Sequence, residues 1–161
     1  MNWIAHQVAK GRGLGLALLV MLAVALPGFF SLPPIDRDEV LFSQASKQML
    51  ASGDWVDIRF AEAPRYKKPV GIYWMQATAA AVTGQADQIW SYRLISLLGS
   101  LLAVGFTHAT ARLYLGFEAA FLAAVALGAS LMLGAEAHFA KTDAMLLATV
   151  AAGQYVLARG A

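Results

Sequence analysis

The sequence predicts an all-α membrane protein with about four transmembrane helices and an outer loop that carries two interfacial helices. Three observations predict it. Of 161 residues, 59% are hydrophobic and 14% are charged, and the mean hydropathy is +0.58, a balance that excludes a water-soluble globule. The charge is also concentrated: 14 of the 22 charged side chains lie between Asp36 and Arg93. Long uncharged runs fill the rest. The net charge of +2 is spread over single basic residues apart from Arg65, Lys67 and Lys68, so a nucleic-acid-binding face is not expected. The absence of cysteine removes disulfides and thiolate chemistry.

The first span is expected over 13–35, where 23 residues carry no charge, enough for a hydrocarbon core of about 30 Å. Lys10 and Arg12 give it a basic start, as a signal peptide would have. The run is too long for one and no Ala-x-Ala site closes it. Pro27, Pro33 and Pro34 end the helix, because proline lacks the amide proton and clashes with the preceding turn. The second and third spans are expected over 94–111, between Arg93 and Arg112, and over 119–135, between Glu118 and Glu136. Only a short link joins them, so they form an antiparallel hairpin. A fourth span is expected over 142–159. Because the chain then ends on Arg159, Gly160 and Ala161 without a polar tail, residues 1–161 read as the N-terminal part of one longer transmembrane domain.

Small residues crowd the third span (Ala119, Ala120, Ala123, Ala124, Gly128, Ala129), and Gly11 with Gly15 forms a Gly-x-x-x-Gly pair. Such spacing lets helix backbones approach closely. Orientation follows from the short flanking segments, whose basic residues stay in the cytoplasm. Lys10, Arg12, Arg112 and Arg159 fall on one side. That side is the cytoplasm, so the 36–93 loop and the Glu136 to Asp143 turn both face outward.

The outer loop carries seven acidic and seven basic residues interleaved with aromatics, which favours the headgroup level. Glu39 to Ala51 reads as an interfacial helix, with Phe42, Ala45 and Met49 on one face and Gly53 as its stop. Trp55 to Phe60 alternates as an extended piece would. Pro69 opens a second helix through about Thr83, too short to span, and Gly84 ends it.

Three constellations in these outer segments carry chemistry. Asp36, Arg37, Asp38 and Glu39 directly follow the first span: Asp36 is an N-cap with Glu39 three residues on, and a carboxylate held at a membrane boundary is also a candidate general base. Arg65, Lys67 and Lys68 read either as a patch for anionic headgroups or as a phosphate site, with Lys68 beside the free amides of a helix start. In the other outer turn, Glu136 and His138 make at most a weak metal pair. Asp143 opens an apolar helix, as an N-cap or as a second acidic site at a depth where charge is costly.

The run Pro34, Ile35, Asp36, Arg37, Asp38, Glu39, followed by FSQASKQMLASGDWVDIRF and RYKKPVGIYWMQA, resembles the first outer loop of the GT-C glycosyltransferases that use polyprenyl-phosphate sugars. Among these it is most similar to the bacterial aminoarabinose lipid A transferases and the related protein O-mannosyltransferase-like enzymes. The resemblance runs on to HFAKTDAMLLAT.

It implies an inverting glycosyl transfer from a lipid-linked donor to an acceptor hydroxyl or phosphate of a lipid or protein, at the outer face of a bacterial inner membrane. The chain would be part of a larger GT-C fold, inactive alone. By position, Asp38 would be the catalytic base with Glu39 beside it and Asp143 the second acid; Lys68, with Lys67 and Arg65, would hold the donor phosphate. The family often has Glu-Lys-Pro where this chain has Lys67, Lys68, Pro69, which removes one acid that could bind a cation. A divalent cation is the one cofactor the resemblance leaves open. The competing readings are a transporter subunit, with these charges along a path, and a non-catalytic membrane scaffold.

Overall fold

A computed structural model describes residues 12–160; Lys10 and Gly11, named above, lie outside the described residues. The chain is almost wholly helical. Helix α1, Gly13–Ala25, buries Gly13, Ala17, Met21 and Ala25, one residue per turn along a single stripe. It is shorter than the 13–35 run: 13 residues give about 20 Å of helix. Pro27 and Gly28, at φ +77, turn the chain there, and 32–35 continue without regular structure. An uncharged stretch therefore overstated the helix, because proline and a left-handed glycine stop it from within.

Helix α2, Arg37–Ser52, starts as expected at Asp36, whose carboxylate accepts the amides of Asp38 and Glu39. It stops at Gly53, left-handed at φ +71. Its Phe42, Ala45 and Met49 pack against Ile72, Tyr73 and Ala77 of helix α3, Gly71–Thr83, which Gly84 ends at φ +66. Between them, the extended piece foreseen over 55–60 reduces to β1, Arg59–Phe60, paired antiparallel with β2, Ala63–Pro64. The preceding residues form a turn because the Asp54 carboxylate takes the amides of Val56 and Asp57. Gln48 holds the hairpin tip by exchanging two hydrogen bonds with the backbone of Ala61.

Helix α4, Ile89–Tyr114, is longer than the 94–111 run at 26 residues, or about 39 Å. Arg93 and Arg112 lie inside it rather than at its ends. The run over 119–135 is bent by 58° between α5, Phe117–Gly128, and α6, Leu131–Ala137. Ser130 makes the break: its backbone is extended and its hydroxyl accepts the Leu133 amide as the new N-cap. Helix α7, Asp143–Gly160, completes the bundle. Among the described residues, α4 alone is long and apolar enough to cross a membrane, and α5 with α6 makes a second if the bent pair counts as one.

Two close approaches set the packing. Ala120, Ala124 and Gly128 of α5 are buried, and a Cβ on Gly128 would lie 3.4 Å from Met21, so the small residues of the third run do face another helix. Gly15 has nothing within 4 Å of its own Cβ direction. A tighter contact against backbone lies elsewhere: a Cβ on Gly99 of α4 would stand 2.7 Å from the Met145 nitrogen of α7. Helices α4 and α7 run parallel, since Ser96 near the start of α4 reaches Phe139 and Tyr114 at its end donates to the Ala158 carbonyl.

Candidate functional site

The end of the bundle where α4 and α7 begin gathers both polar segments. Its centre is Arg93, fully buried with Glu39. The guanidinium donates from Nε to Glu39 Oε1 at 2.7 Å and from Nη2 to Oε2 at 3.1 Å, and to the carbonyls of Leu32 and Pro33 at 2.8 and 3.2 Å. Glu39 Oε1 also accepts the Ala140 amide at 3.1 Å. The α1–α2 link, the first turn of α2 and the α6–α7 turn are thus fastened to one ion pair, the link through Arg93 and the turn through Glu39.

A second tie lies nearer the surface. Lys141 Nζ donates to Asp36 Oδ2 at 3.2 Å and sits 4.5 Å from the centre of the Phe139 ring. The Asp38 amide bonded to Asp36 holds that carboxyl below its ordinary range, with Lys141 adding to the effect against partial burial. Burial opposes the charge on Lys141, but the Asp36 hydrogen bond and the fields of Glu136, Asp36 and Asp143 outweigh it and raise its pKa. His138 bridges the same seam, with Nδ1 2.7 Å from the Gly134 carbonyl and Nε2 3.0 Å from that of Pro27.

The structure sorts the expected site residues into three groups. Asp38 and Asp143 are both exposed at this end, and Thr142 donates to Asp143 at 3.3 Å. Glu39 is not open to an acceptor: its oxygens are taken up by Arg93 and Ala140. Lys67 and Lys68 are exposed, and Lys68 heads a groove of about 310 Å³ between α3 and α7, floored by Ile72, Met75, Met145 and Leu146 and edged by Thr142 and Thr149. Arg65 turns inward instead, 5.6 Å above the Phe42 ring and beside the Tyr73 hydroxyl, whose pKa burial raises and Arg65 partly restores.

On the opposite flank of α7, Asp143 and Glu136 line a second groove of about 310 Å³ with Leu127, Ser130, Leu133 and Leu147; one Glu136 oxygen is buried there without a hydrogen-bond partner. Among the described residues, no three His, Cys, Asp or Glu side chains come together to hold a metal ion. Arg93 is the residue of this site that the sequence reading missed. Arg93 passed for a span boundary, although five residues inside a helix a lone arginine must find partners.

Residues 67–161 match the family described as dolichyl-phosphate-mannose-protein mannosyltransferase. The chain is 33% identical over 96 residues to an undecaprenyl phosphate-alpha-4-amino-4-deoxy-L-arabinose arabinosyl transferase 1 of Pseudomonas fluorescens, covering 56% of this chain and 16% of that one. It is 36% identical over 91 residues to a transferase 2 of the same description from Pseudomonas fluorescens, covering 53% and 15%. With a homologous transferase of Pseudomonas paraeruginosa it shares 34% identity over 91 residues, covering 53% and 16%. The matched region spans about a sixth of the length of these relatives. No solved structure matches the chain.

Proposed function

Because the chain belongs to the dolichyl-phosphate-mannose-protein mannosyltransferase family, we propose that it supplies the first outer loop and part of the transmembrane domain of a lipid-linked glycosyltransferase. The donor is an undecaprenyl- or other polyprenyl-phosphate sugar, as the names of the relatives indicate for those proteins. The acceptor is a hydroxyl or phosphate on a lipid or protein. Residues 1–161 form one membrane-embedded unit whose site end faces outward, and they do not turn over alone.

The observation that carries this reading is the joining of two distant acidic segments at one end of the bundle. Asp36 is bonded to Lys141 and Glu39 to Ala140, which brings the neighbourhoods of Asp38 and Asp143 together beside the groove headed by Lys68. In the proposed step, the Asp38 carboxylate takes the acceptor proton as the acceptor oxygen bonds to the anomeric carbon. The bond from that carbon to the phosphate oxygen breaks with inversion, and the prenyl phosphate leaves with the electron pair. Lys68 stabilises the charge that develops on it, with Lys67 close by in sequence, while the apolar groove suits the first isoprene units. Glu39 supports the fold of the site; Asp143 provides the second acid.

A transporter path would need charges along the bundle. Asp36, Glu39, Arg93 and Lys141 instead pair with one another at one end. The deciding assay measures sugar transfer from a polyprenyl-phosphate donor by the full-length protein carrying Asp38→Asn or Asp38→Glu. Both variants lose turnover if Asp38 is the base, since one added methylene displaces the carboxylate. Unchanged turnover in Asp38→Glu removes Asp38 as the base and overturns the proposed step, whereas the absence of transfer by the parent protein itself supports a scaffold.

A further inference from the structure

We infer that Arg93 is the positioning residue of this site: its guanidinium sets where Asp38 and Asp143 stand relative to one another, without touching a substrate. The inference rests on the transfer reading above. A guanidinium has five N–H donors, and Arg93 has an acceptor for each: two Glu39 oxygens and the carbonyls of Phe29, Leu32 and Pro33. Nothing of it is left to bind a ligand. Such a fork imposes geometry that a point charge cannot, because both its spacing and its plane are fixed.

From Arg93 the constraint runs in two directions. Toward α2 it ends on Glu39, one residue from Asp38. Toward α7 it passes through Glu39 Oε1 to the Ala140 amide, three residues from Asp143. The next turn of the same helix repeats the grip: Ser96 Oγ donates to the Phe139 carbonyl at 2.5 Å and lies 3.3 Å from that of Lys141. The first turns of α4 therefore act as a jig on which both acid-bearing segments are mounted. A buried ion pair is weak evidence for stability in itself, but one that touches three separate segments beside the reacting groups has a geometric consequence.

The experiment uses two readings. Because the chain contains no cysteine, paired spin labels can be placed at positions 38 and 143, with a reference pair at Tyr114 and Leu157 at the far end of the bundle, in nanodiscs. In Arg93→Met the 38–143 distance distribution broadens while the reference pair stays narrow, and Arg93→Lys falls between, since an ammonium keeps the charge and loses the fork. In the full-length protein, Arg93→Met lowers kcat about a hundredfold and leaves the donor KM within about twofold.

An unchanged 38–143 distribution overturns the inference, as does broadening of both pairs alike, which would make Arg93 a general support, or an unchanged kcat. Failure of the transfer reading shows separately, as the absence of sugar transfer by the parent full-length protein, and failure of the base assignment as turnover that survives Asp38→Asn. The distance measurement involves no substrate and decides the positioning in either case.

Discussion

The Glu39 carboxylate closes on the Arg93 guanidinium at 2.7 Å with both side chains fully buried. Fifty-four residues separate them in sequence, so the pair is a long-range clamp between the first turn of α2 and the start of α4. Its worth depends on completeness. Two charges taken out of water are tolerated only when every lone pair and N–H finds a partner.

Removing one side of that clamp should be costly. Glu39→Ala leaves the guanidinium buried and uncompensated, and the expected loss is about 3–5 kcal/mol, read from denaturant or thermal unfolding in detergent. The double change Glu39→Leu with Arg93→Met should recover only part of it, because the Leu32 and Pro33 carbonyls and the Ala140 amide then lose their partners. A Glu39→Ala protein as stable as the parent would contradict the burial described here.

The α4–α7 crossing makes a second prediction. Gly99→Ala places a methyl 2.7 Å from the Met145 nitrogen and 2.8 Å from the Ala144 carbonyl carbon, atoms that cannot move without shifting the helix. Overpacking of this kind costs about 1–3 kcal/mol. Gly105→Ala, where nothing lies within 4 Å, is the control and should leave the melting temperature unchanged or raise it.

Asp36 and Lys141 predict a pH dependence with two arms. Asp36 is depressed below its ordinary 3.8 by the Asp38 amide and by Lys141, so its contribution is complete above 3.8 and is lost as pH falls through the lower folded value. Lys141 is raised above 10.5, with Asp36 outweighing burial, so its contribution is complete below 10.5 and is lost as pH rises through the higher folded value. Stability from this pair is therefore flat across neutral pH. Asp36→Asn should shrink the acid arm in melts recorded against pH, leaving the part due to Asp54, Asp57 and Asp87, which are also depressed; an acid arm of undiminished size would assign it wholly to those other carboxylates.

Local signals in the sequence identified the elements well and their partners poorly. Asp36 as a cap, Gly53 and Gly84 as stops, and the stripe of Phe42, Ala45 and Met49 were legible because each depends on neighbours a few residues away. The bend at Ser130 was not: an uncharged run shows apolarity but not the one hydroxyl that redirects the backbone. Pro27 was legible as a stop for the first helix, but the uncharged run to Ile35 set the expected span longer than the 13 residues that are helical. Among the expected site residues, Asp38, Lys68 and Asp143 are exposed, whereas Glu39, expected beside the base, is buried against a guanidinium. Its partner Arg93 lies in another helix, and no spacing rule connects the two.

The meeting of the Asp38 and Asp143 segments on the outer face is the claim on which the account depends, and cysteine labelling in intact cells tests it most directly. With no native cysteine in the chain, single cysteines at 38, 143, 112 and 159 can each be challenged with a membrane-impermeant maleimide. The account predicts that 38 and 143 react from outside, whereas 112 and 159 react only after the membrane is opened. Labelling of 38 and 143 from opposite sides would contradict it.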